Sequence, residues 1–413
     1  MKNLTREHFL ALDQTDPLVA YREQFQLPAG MIYLDGNSLG PLPKATIGRL
    51  ANVAQQEWGE WLITSWNKAG WMDMPTRLGD KIGQLIGAAA GQVIVADSTS
   101  INVYKTLAAA LAMNPDKHVI LSTHDNFPTD LYMAQGLIDQ LGGKHSLKLV
   151  DGEAIAEHLN DDVAVLTLTH VNYKTGRKYD MAGLTAKAHD CGALTMWDLA
   201  HSAGALTVQL DACMVDFAVG CGYKYLNGGP GAPAFLYVAN RHQANFSQPL
   251  SGWLGHANPF AFDWKYEPAE GIARYMCGTP PVLSMSALEC GVDMMIAADI
   301  DAIREKSLHL TDLFIAAVEQ LCEDHPLRLA TPRDRNIRGS QVSFHHPEGY
   351  AIMQALIANQ VVGDFRAPDI IRFGFTPLYT RYTDIWDAAV ILKHILDTKA
   401  WDRPEWKQRK KVT

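Results

Sequence analysis

The chain has 413 residues, 47% of them hydrophobic and 20% charged, a globular balance that excludes a disordered or low-complexity protein and leaves room for two or three domains. With 36 Lys and Arg against 45 Asp and Glu the net charge is −9, so no broad positive field draws the protein to nucleic acid or to an anionic membrane. The 6 cysteines lack C-x-x-C spacing and suit a reducing, cytoplasmic setting, and no apolar run reaches the length of a signal peptide or a membrane span.

In chain order, residues 1–60 carry expected helix starts at Asp16-Pro17 and at Pro43, since proline suits the first helical position, and this segment is expected to pack against the C-terminal domain. Residues 61–282 form the expected large domain. Short apolar runs alternate there with helix-length segments: QVIVA (92–96), HVILS (118–122), SLKLV (146–150), VAVLTLT (163–169), ALTMWDL (193–199), DFAVGCG (216–222) and AFLYVA (234–239). Such runs predict an α/β domain whose mostly parallel, seven-stranded sheet is covered on both faces. Residues 283–413 change rhythm, with long helical patterns at 286–298 and 299–324, short strands around SQVSFHH, VVGDFR and IIRFGF, and a last helix over 381–397. A smaller α+β domain is expected, ending in a basic, solvated tail, RPEWKQRKKVT.

Familiar nucleotide and metal signatures are absent: no G-x-x-x-x-G-K-[ST], no completed G-x-G-x-x-G, no H-E-x-x-H, no G-x-S-x-G elbow. What the sequence does contain is Lys224 in a glycine-rich turn, Gly222-Tyr223-Lys224-Tyr225-Leu226-Asn227-Gly228-Gly229, directly after an apolar strand. Asp198 closes another run 26 residues earlier, at the strand end where open α/β sheets bind ligands. A strand-end aspartate alone serves equally well as a helix cap, and a lone lysine as a solvated charge. Together with Asp97-Ser98-Thr99-Ser100-Ile101-Asn102, a hydroxyl-rich strand-to-helix turn fit to cradle a phosphate, they point to pyridoxal 5′-phosphate. In that chemistry the lysine forms a Schiff base and the carboxylate keeps the pyridine nitrogen protonated.

These residues sit in a wider pattern that resembles the kynureninases, pyridoxal-phosphate enzymes of the aspartate-aminotransferase fold (fold type I). The resemblance runs through Tyr33-Leu34-Asp35-Gly36-Asn37-Ser38-Leu39-Gly40, Phe127-Pro128-Thr129-Asp130, Tyr173-Lys174-Thr175-Gly176, Asp198-Leu199-Ala200-His201, Tyr223-Lys224-Tyr225-Leu226-Asn227, Ile371-Arg372-Phe373-Gly374 and Pro377-Leu378-Tyr379. It implies that Lys224 bears the cofactor, Asp198 and Asp130 face its ring nitrogen, His201 lies near its ring oxygen and Phe127 stacks on the ring. Thr99, Ser100, Thr129, Thr169 and Tyr223 become further cofactor contacts, and Tyr223 a proton relay. Trp253 and Thr279 correspond to residues supplied by a neighbouring subunit, which implies a homodimer, and Arg372 corresponds to the arginine that binds the substrate α-carboxylate.

The implied reaction is hydrolysis of L-kynurenine, or of 3-hydroxykynurenine, to the anthranilate and L-alanine. Trp61, Trp66, Trp71, Trp253 and Trp264 are aromatic candidates for the aryl pocket. The rivals are an aminotransferase, a cysteine desulfurase and a non-catalytic pyridoxal-phosphate regulator. Cys277, Cys290 and Cys322 suit a desulfurase loop poorly, and the chain has no spare basic segment for a DNA-binding domain.

Overall fold

The computed structural model describes residues 3–245 and 247–410. Its first helix, α1 (Arg6–Gln14), precedes the Asp16-Pro17 position. There the Asp16 carboxylate accepts from the backbone of Leu18, 2.9 Å away, and a 3₁₀ helix follows at Val19–Gln24 in place of the expected α-helix. Pro43 stands at the N-cap of α2 (Lys44–Asn52), which runs into a π-helical turn, Val53–Trp58.

Helix α3 (Met74–Ile86) carries the chain to the main sheet and stops at Gly87, whose φ of +65° favours glycine and whose added Cβ would lie 2.6 Å from Gln209 Cα. All seven apolar runs become strands of that sheet: β1 (Val93–Val95), β2 (Val119–Thr123), β3 (Ser146–Val150), β4 (Val163–Thr169), β5 (Leu194–Asp198), β6 (Phe217–Cys221) and β7 (Ala234–Val238). Their order is β1-β7-β6-β5-β4-β2-β3, parallel except for β7, which runs antiparallel to both β1 and β6. Helices α4 (Thr99–Met113), α5 (Pro128–Gln140) and α6 (Met181–Asp190) intervene.

The unbroken apolar runs are explained by burial on both faces. Val93, Val95, Phe235 and Tyr237 enter one core cluster with Trp197 and Leu226, whereas Ile94, Leu236 and Val238 enter another with Leu107, Met196 and Phe217. Alternate side chains of one strand therefore serve different cores.

After β7 come α7 (Val282–Ala297) and α8 (Ile300–Leu321). Met285, Leu288 and Val292 of α7 lie in the large core. Helix α8 begins in the same core with Ile303 and continues into a separate one through Leu310, Phe314 and Val318. A four-stranded antiparallel sheet forms beside it in the order β8 (Arg328–Leu329), β9 (Gln341–His345), β11 (Ile370–Gly374), β10 (Asp364–Arg366). VVGDFR is thus divided: Val361–Val362 pairs in parallel with Ile32–Tyr33 of the N-terminal segment, and only Asp364–Arg366 joins the sheet. Helix α9 (Gly349–Ala358), between β9 and β10, went unread because its apolar residues are buried almost all round and leave no amphipathic stripe. Helix α10 (Tyr382–Asp397) packs against α8 and α1, and Phe9 of α1 shares its core.

The C-terminal tail is less free than expected. Up to Lys410 it is docked, the Arg409 guanidinium lying 6.0 Å and 5.7 Å from the ring centres of Tyr350 and Phe365; its last three residues fall outside the described set. No helix among the described residues is long and apolar enough to cross a membrane.

Asp216, at the foot of β6, is the charged anchor of the large sheet. It is buried and accepts from His189 and His242 Nε2 (2.8 and 2.7 Å), Arg241 Nη2 (2.7 Å), and the Thr195 backbone and hydroxyl (2.8 and 3.0 Å). Burial alone would raise its pKa, but these donors outweigh burial and hold it well below the usual carboxylate range. Asp216→Asn is expected to cost about 3 kcal/mol at pH 7, the low end for a broken buried pair because Arg241 retains contact with water. Because the folded-state pKa is depressed, the stabilisation is present above about pH 4 and lost as pH falls below it. Unfolding midpoints of the two proteins, measured from pH 7 to pH 3, should therefore converge on the acid side; a constant gap would remove the carboxylate from the account.

Candidate active site

The parallel strands present their C-terminal ends along one edge, and the turns that leave them build a cavity of about 180 Å³. Ten of the thirteen residues singled out in the sequence line it: Thr99, Ser100, Phe127, Thr129, Asp130, Thr169, Asp198, His201, Tyr223 and Lys224. Tyr173 and Ala200 complete the wall. Each position follows from its local structure. Ser98 caps α4, its hydroxyl accepting from Ile101 N, so that Thr99 and Ser100 occupy the first turn, where backbone N–H groups point outward unpaired. Phe127 is the N-cap of α5, Asp130 lies in that helix's first turn, Thr169 and Asp198 end β4 and β5, and Lys224 follows β6 after a two-residue turn.

One organiser escaped the sequence reading. Asn126 is buried, and its Oδ1 accepts from the backbone of both Phe127 (2.8 Å) and Thr169 (3.2 Å), while its Nδ2 donates to Ser122 Oγ (2.9 Å). It thereby ties the aromatic wall to the end of β4. Nothing in a single asparagine before an Phe-Pro pair signals this, because its partners are 4 and 43 residues away.

The electrostatics are lopsided. Asp198 is buried and receives one bond, from Ala200 N at 2.8 Å; Asp130 is buried with Oδ2 unpartnered. Burial raises both pKa values, Asp198 adds to the rise at Asp130, and Lys224 opposes it at each. A cationic ring N–H placed between two such carboxylates would satisfy both the orphaned oxygen and the missing charge, so the residues present fit pyridoxal phosphate. Its phosphate would take the start of α4, and its ring the space beside Phe127.

Lys224 Nζ stands 3.1 Å from His201 Nε2, and 5.9 and 5.7 Å from the ring centres of Phe127 and Tyr223. His201 is buried, and burial, followed by the charges of Lys224 and Arg372, pushes its pKa well below that of free histidine, so the ring is neutral. Burial also raises the Tyr223 phenol, with Cys221 and Asp198 adding to the shift, and keeps it protonated at neutral pH.

The remaining three expected residues lie outside this cavity. Arg372, on β11, is fully buried. Its Nε donates to Asp364 Oδ1 (2.7 Å), its Nη2 to Asp364 Oδ2 and to Ser38 Oγ (3.0 Å), and its Nη1 to the Tyr173 carbonyl. Burial works against its charge and Asp364 more than offsets this. Asp35 lies in the same cluster and is raised to about 7 by burial and by Asp364. Thr279 is exposed and lines a neighbouring cavity of about 620 Å³ that shares Tyr223 with the first. Trp253 is 43% exposed, its ring edge-on to Phe260 at 5.8 Å. Of the other tryptophans, Trp71 is buried and donates to Glu57 Oε2 at 2.8 Å, a structural bond, whereas Trp264 is 94% exposed.

Comparison with known proteins adds an independent line. A family model described as the kynureninase C-terminal domain matches residues 303–392. The chain is 56% identical over 414 aligned residues to the kynureninase of Burkholderia pseudomallei (strain K96243), covering 99% of this chain and all of that one. It is 53% identical, over the same shares, to that of Pseudomonas fluorescens. Among solved structures, the apo cysteine desulfurase of Thermococcus onnurineus NA1 superposes with a TM-score of 0.78 over 92% of this chain and 98% of that one at 18% identity. A C-DES variant with glycine covalently linked to its PLP cofactor gives 0.75 over 94% and 99%, also at 18%. The structural likenesses establish the fold, and the close full-length identity establishes more: the chain belongs to the kynureninase family, pyridoxal-phosphate-dependent hydrolases built on the type I fold.

Proposed function

We propose that the protein hydrolyses L-kynurenine to anthranilate and L-alanine at the cavity around Lys224. The observation that carries the residue assignment is the pairing of two buried, under-satisfied carboxylates, Asp130 and Asp198, with one lysine at the edge of the sheet. When bound there, pyridoxal phosphate supplies an electron sink conjugated to the substrate's α-carbon. The protein's own groups do the rest. Asp198 and Asp130 would keep a proton on the ring nitrogen, Thr99 and Ser100 would hold the phosphate, and Phe127 would hold the ring plane. Lys224 Nζ would hold the cofactor and, as a free amine, would take the proton from the α-carbon and return it before alanine leaves. Water adds at the γ-carbonyl, the bond between the β- and γ-carbons breaks, and the protonated Tyr223 phenol is the acid that serves the β-carbon as it becomes the methyl group of alanine.

Borohydride treatment of the purified, cofactor-loaded protein followed by peptide mapping should find the cofactor attached to Lys224, and Lys224→Ala should lose both the attachment and turnover. Attachment at another lysine would overturn the assignment.

Arg372 is the residue we assign to the substrate α-carboxylate. Its Nε/Nη2 side is taken by Asp364, and its other edge points to Ser38 Oγ and the Tyr173 carbonyl, polar groups that a carboxylate can replace as partners. Arg372→Lys should retain the cofactor spectrum and lose about 2 to 4 kcal/mol in kcat/KM, because a point ammonium cannot reproduce the guanidinium fork. Unchanged kinetics would put Arg372 outside substrate binding.

A homodimer in the cytoplasm completes the reading. Trp253, Phe260 and Phe262 form an exposed aromatic row, with neighbouring ring centres 5.8 and 6.3 Å apart, on the surface segment that also carries Thr279. The two motifs are stapled together: Cys277 Sγ donates to the Leu250 carbonyl at 3.1 Å, and a Cβ on Gly252 would lie 1.9 Å from the Cys277 carbonyl oxygen. Such a patch suits donation of Trp253 and Thr279 to the site of a second copy. Mixing Lys224→Ala subunits with Trp253→Ala subunits is the test, since each hybrid dimer would hold one intact site. Activity should reappear on subunit exchange; its absence, with exchange shown by mass spectrometry, would remove the shared site.

A further inference from the structure

His201 and Lys224 are joined to the smaller domain by one side chain. Gln341, the first residue of β9, is completely buried, and its Oε1 lies 3.0 Å from His201 Nδ1. Its Nε2 is committed elsewhere, donating to the backbone carbonyls of Tyr173 (3.0 Å) and Asn172 (3.3 Å). An amide whose nitrogen faces two carbonyl oxygens has only its oxygen left for the histidine. His201 Nδ1 must then bring the proton. In a neutral ring this leaves Nε2 as a lone-pair acceptor, directed at Lys224 Nζ 3.1 Å away.

The side chain has little freedom to do otherwise. Gly176, at φ +74°, covers it so closely that an added Cβ would lie 2.7 Å from Gln341 Cγ. The turn carrying Gly176 is in turn laced to the approach to β9, with Gly339 N donating to the Gly176 carbonyl at 2.7 Å and Lys178 N to the Ile337 carbonyl at 2.9 Å. The Tyr173 carbonyl that accepts from Gln341 also accepts from Arg372 Nη1. A continuous chain of hydrogen bonds therefore runs Arg372, Tyr173 carbonyl, Gln341, His201, Lys224.

We infer that Gln341 is a positioning residue for this reaction: it fixes His201 in the Nδ1–H tautomer, so that the lone pair on Nε2 holds the reacting amine of Lys224 in place. The inference rests on the reading of Lys224 as the cofactor-bearing lysine. Charged groups facing the His201 ring are Lys224, Arg372 and Arg366, and Tyr225 meets it edge-on with ring centres 6.5 Å apart. None of these accepts a proton from Nδ1 in place of Gln341.

The test uses the full-length, cofactor-loaded enzyme labelled with ¹⁵N-histidine. In the wild type, His201 should show a protonated Nδ1 and an unprotonated Nε2 that do not titrate between about pH 6 and 8, the range in which a free histidine changes charge. In Gln341→Met the two tautomers should mix and kcat should fall roughly 10- to 100-fold, the loss typical when the partner orienting a functional imidazole is removed, with KM changed less. Gln341→Glu keeps an acceptor beside Nδ1 but adds a negative charge, so the tautomer should persist while the ring gains a proton inside that pH window and kcat acquires a new acid limb. This second variant also decides the matter if Gln341→Met does not fold. Unchanged His201 signals and an unchanged kcat pH profile in the variants would overturn the role of Gln341. Borohydride labelling of the wild-type sample away from Lys224 would instead overturn the reading on which it rests.

Discussion

The site is organised by a charge imbalance that the fold creates and cannot relieve by itself. Asp130 and Asp198 arrive from different elements, a helix start and a strand end, and both are buried at the C-terminal edge of a parallel sheet. Burying two carboxylates so close that Asp198 raises the pKa of Asp130 is costly unless a cation or a proton joins them. Lys224 meets only part of that demand. The remainder specifies the ligand: something with a cationic N–H at one end and, a ring's breadth away, an anion for the first turn of α4.

A second constraint links the domains. Arg372 lies in the antiparallel sheet, yet its partners are Asp364 directly opposite it on the neighbouring strand, Ser38 of the N-terminal segment and the Tyr173 carbonyl of the large domain. The N-terminal loop also reaches the lysine turn. Gly40 N donates to the Tyr223 carbonyl at 2.8 Å, and a Cβ on Gly40 would lie 2.4 Å from the Lys224 carbonyl oxygen, which explains a glycine there without any need for positive φ. The residues 35–40 thus tie Arg372, which we assign to the substrate's carboxylate, to the turn of Lys224, which we assign to its α-carbon.

Much of this was legible in the sequence, for a physical reason. Strands buried on both faces must be apolar throughout, so all seven runs could be found, and the sheet edge where ligands bind follows from strand direction. Lys224, Asp198 and the hydroxyls of Thr99 and Ser100 could be read only in combination, since each alone has an ordinary structural use at its position. What could not be read depends on contacts distant in sequence. The antiparallel direction of β7 is set by its pairing with β1, some 140 residues earlier, and its composition matches that of its parallel neighbours. Asn126 and Gln341 look like ordinary polar residues until their partners are known. Helix α9 was hidden by the completeness of its burial, and the 3₁₀ turn after Pro17 by a start signal that does not distinguish the two helix types.

The same logic explains why proteins of this fold diverge in chemistry. At 18% identity the desulfurase and lyase structures share the layered architecture over almost the whole chain, so the sheet and its edge do not select a reaction. Selection must come from groups that enter the cavity from outside the sheet. Here Tyr173 lines the cavity, and Gln341 and the Arg372–Asp364 pair stand behind it, held to the Tyr173 carbonyl through Gln341 Nε2 and Arg372 Nη1; all belong to the smaller domain or to the turn that contacts it. A cysteine positioned to attack sulfur is not among them: Cys277 is bonded to the Leu250 carbonyl, Cys290 to the Ser286 carbonyl within α7, and Cys322 is buried at the end of α8. Burial raises the pKa of all three thiols, which disfavours the thiolate that sulfur chemistry needs. In the reading proposed above, a protonated Tyr223 beside Lys224, and a neutral His201 whose lone pair faces it, would instead equip the cavity to move protons on carbon, the task that cleavage of a carbon–carbon bond by water imposes.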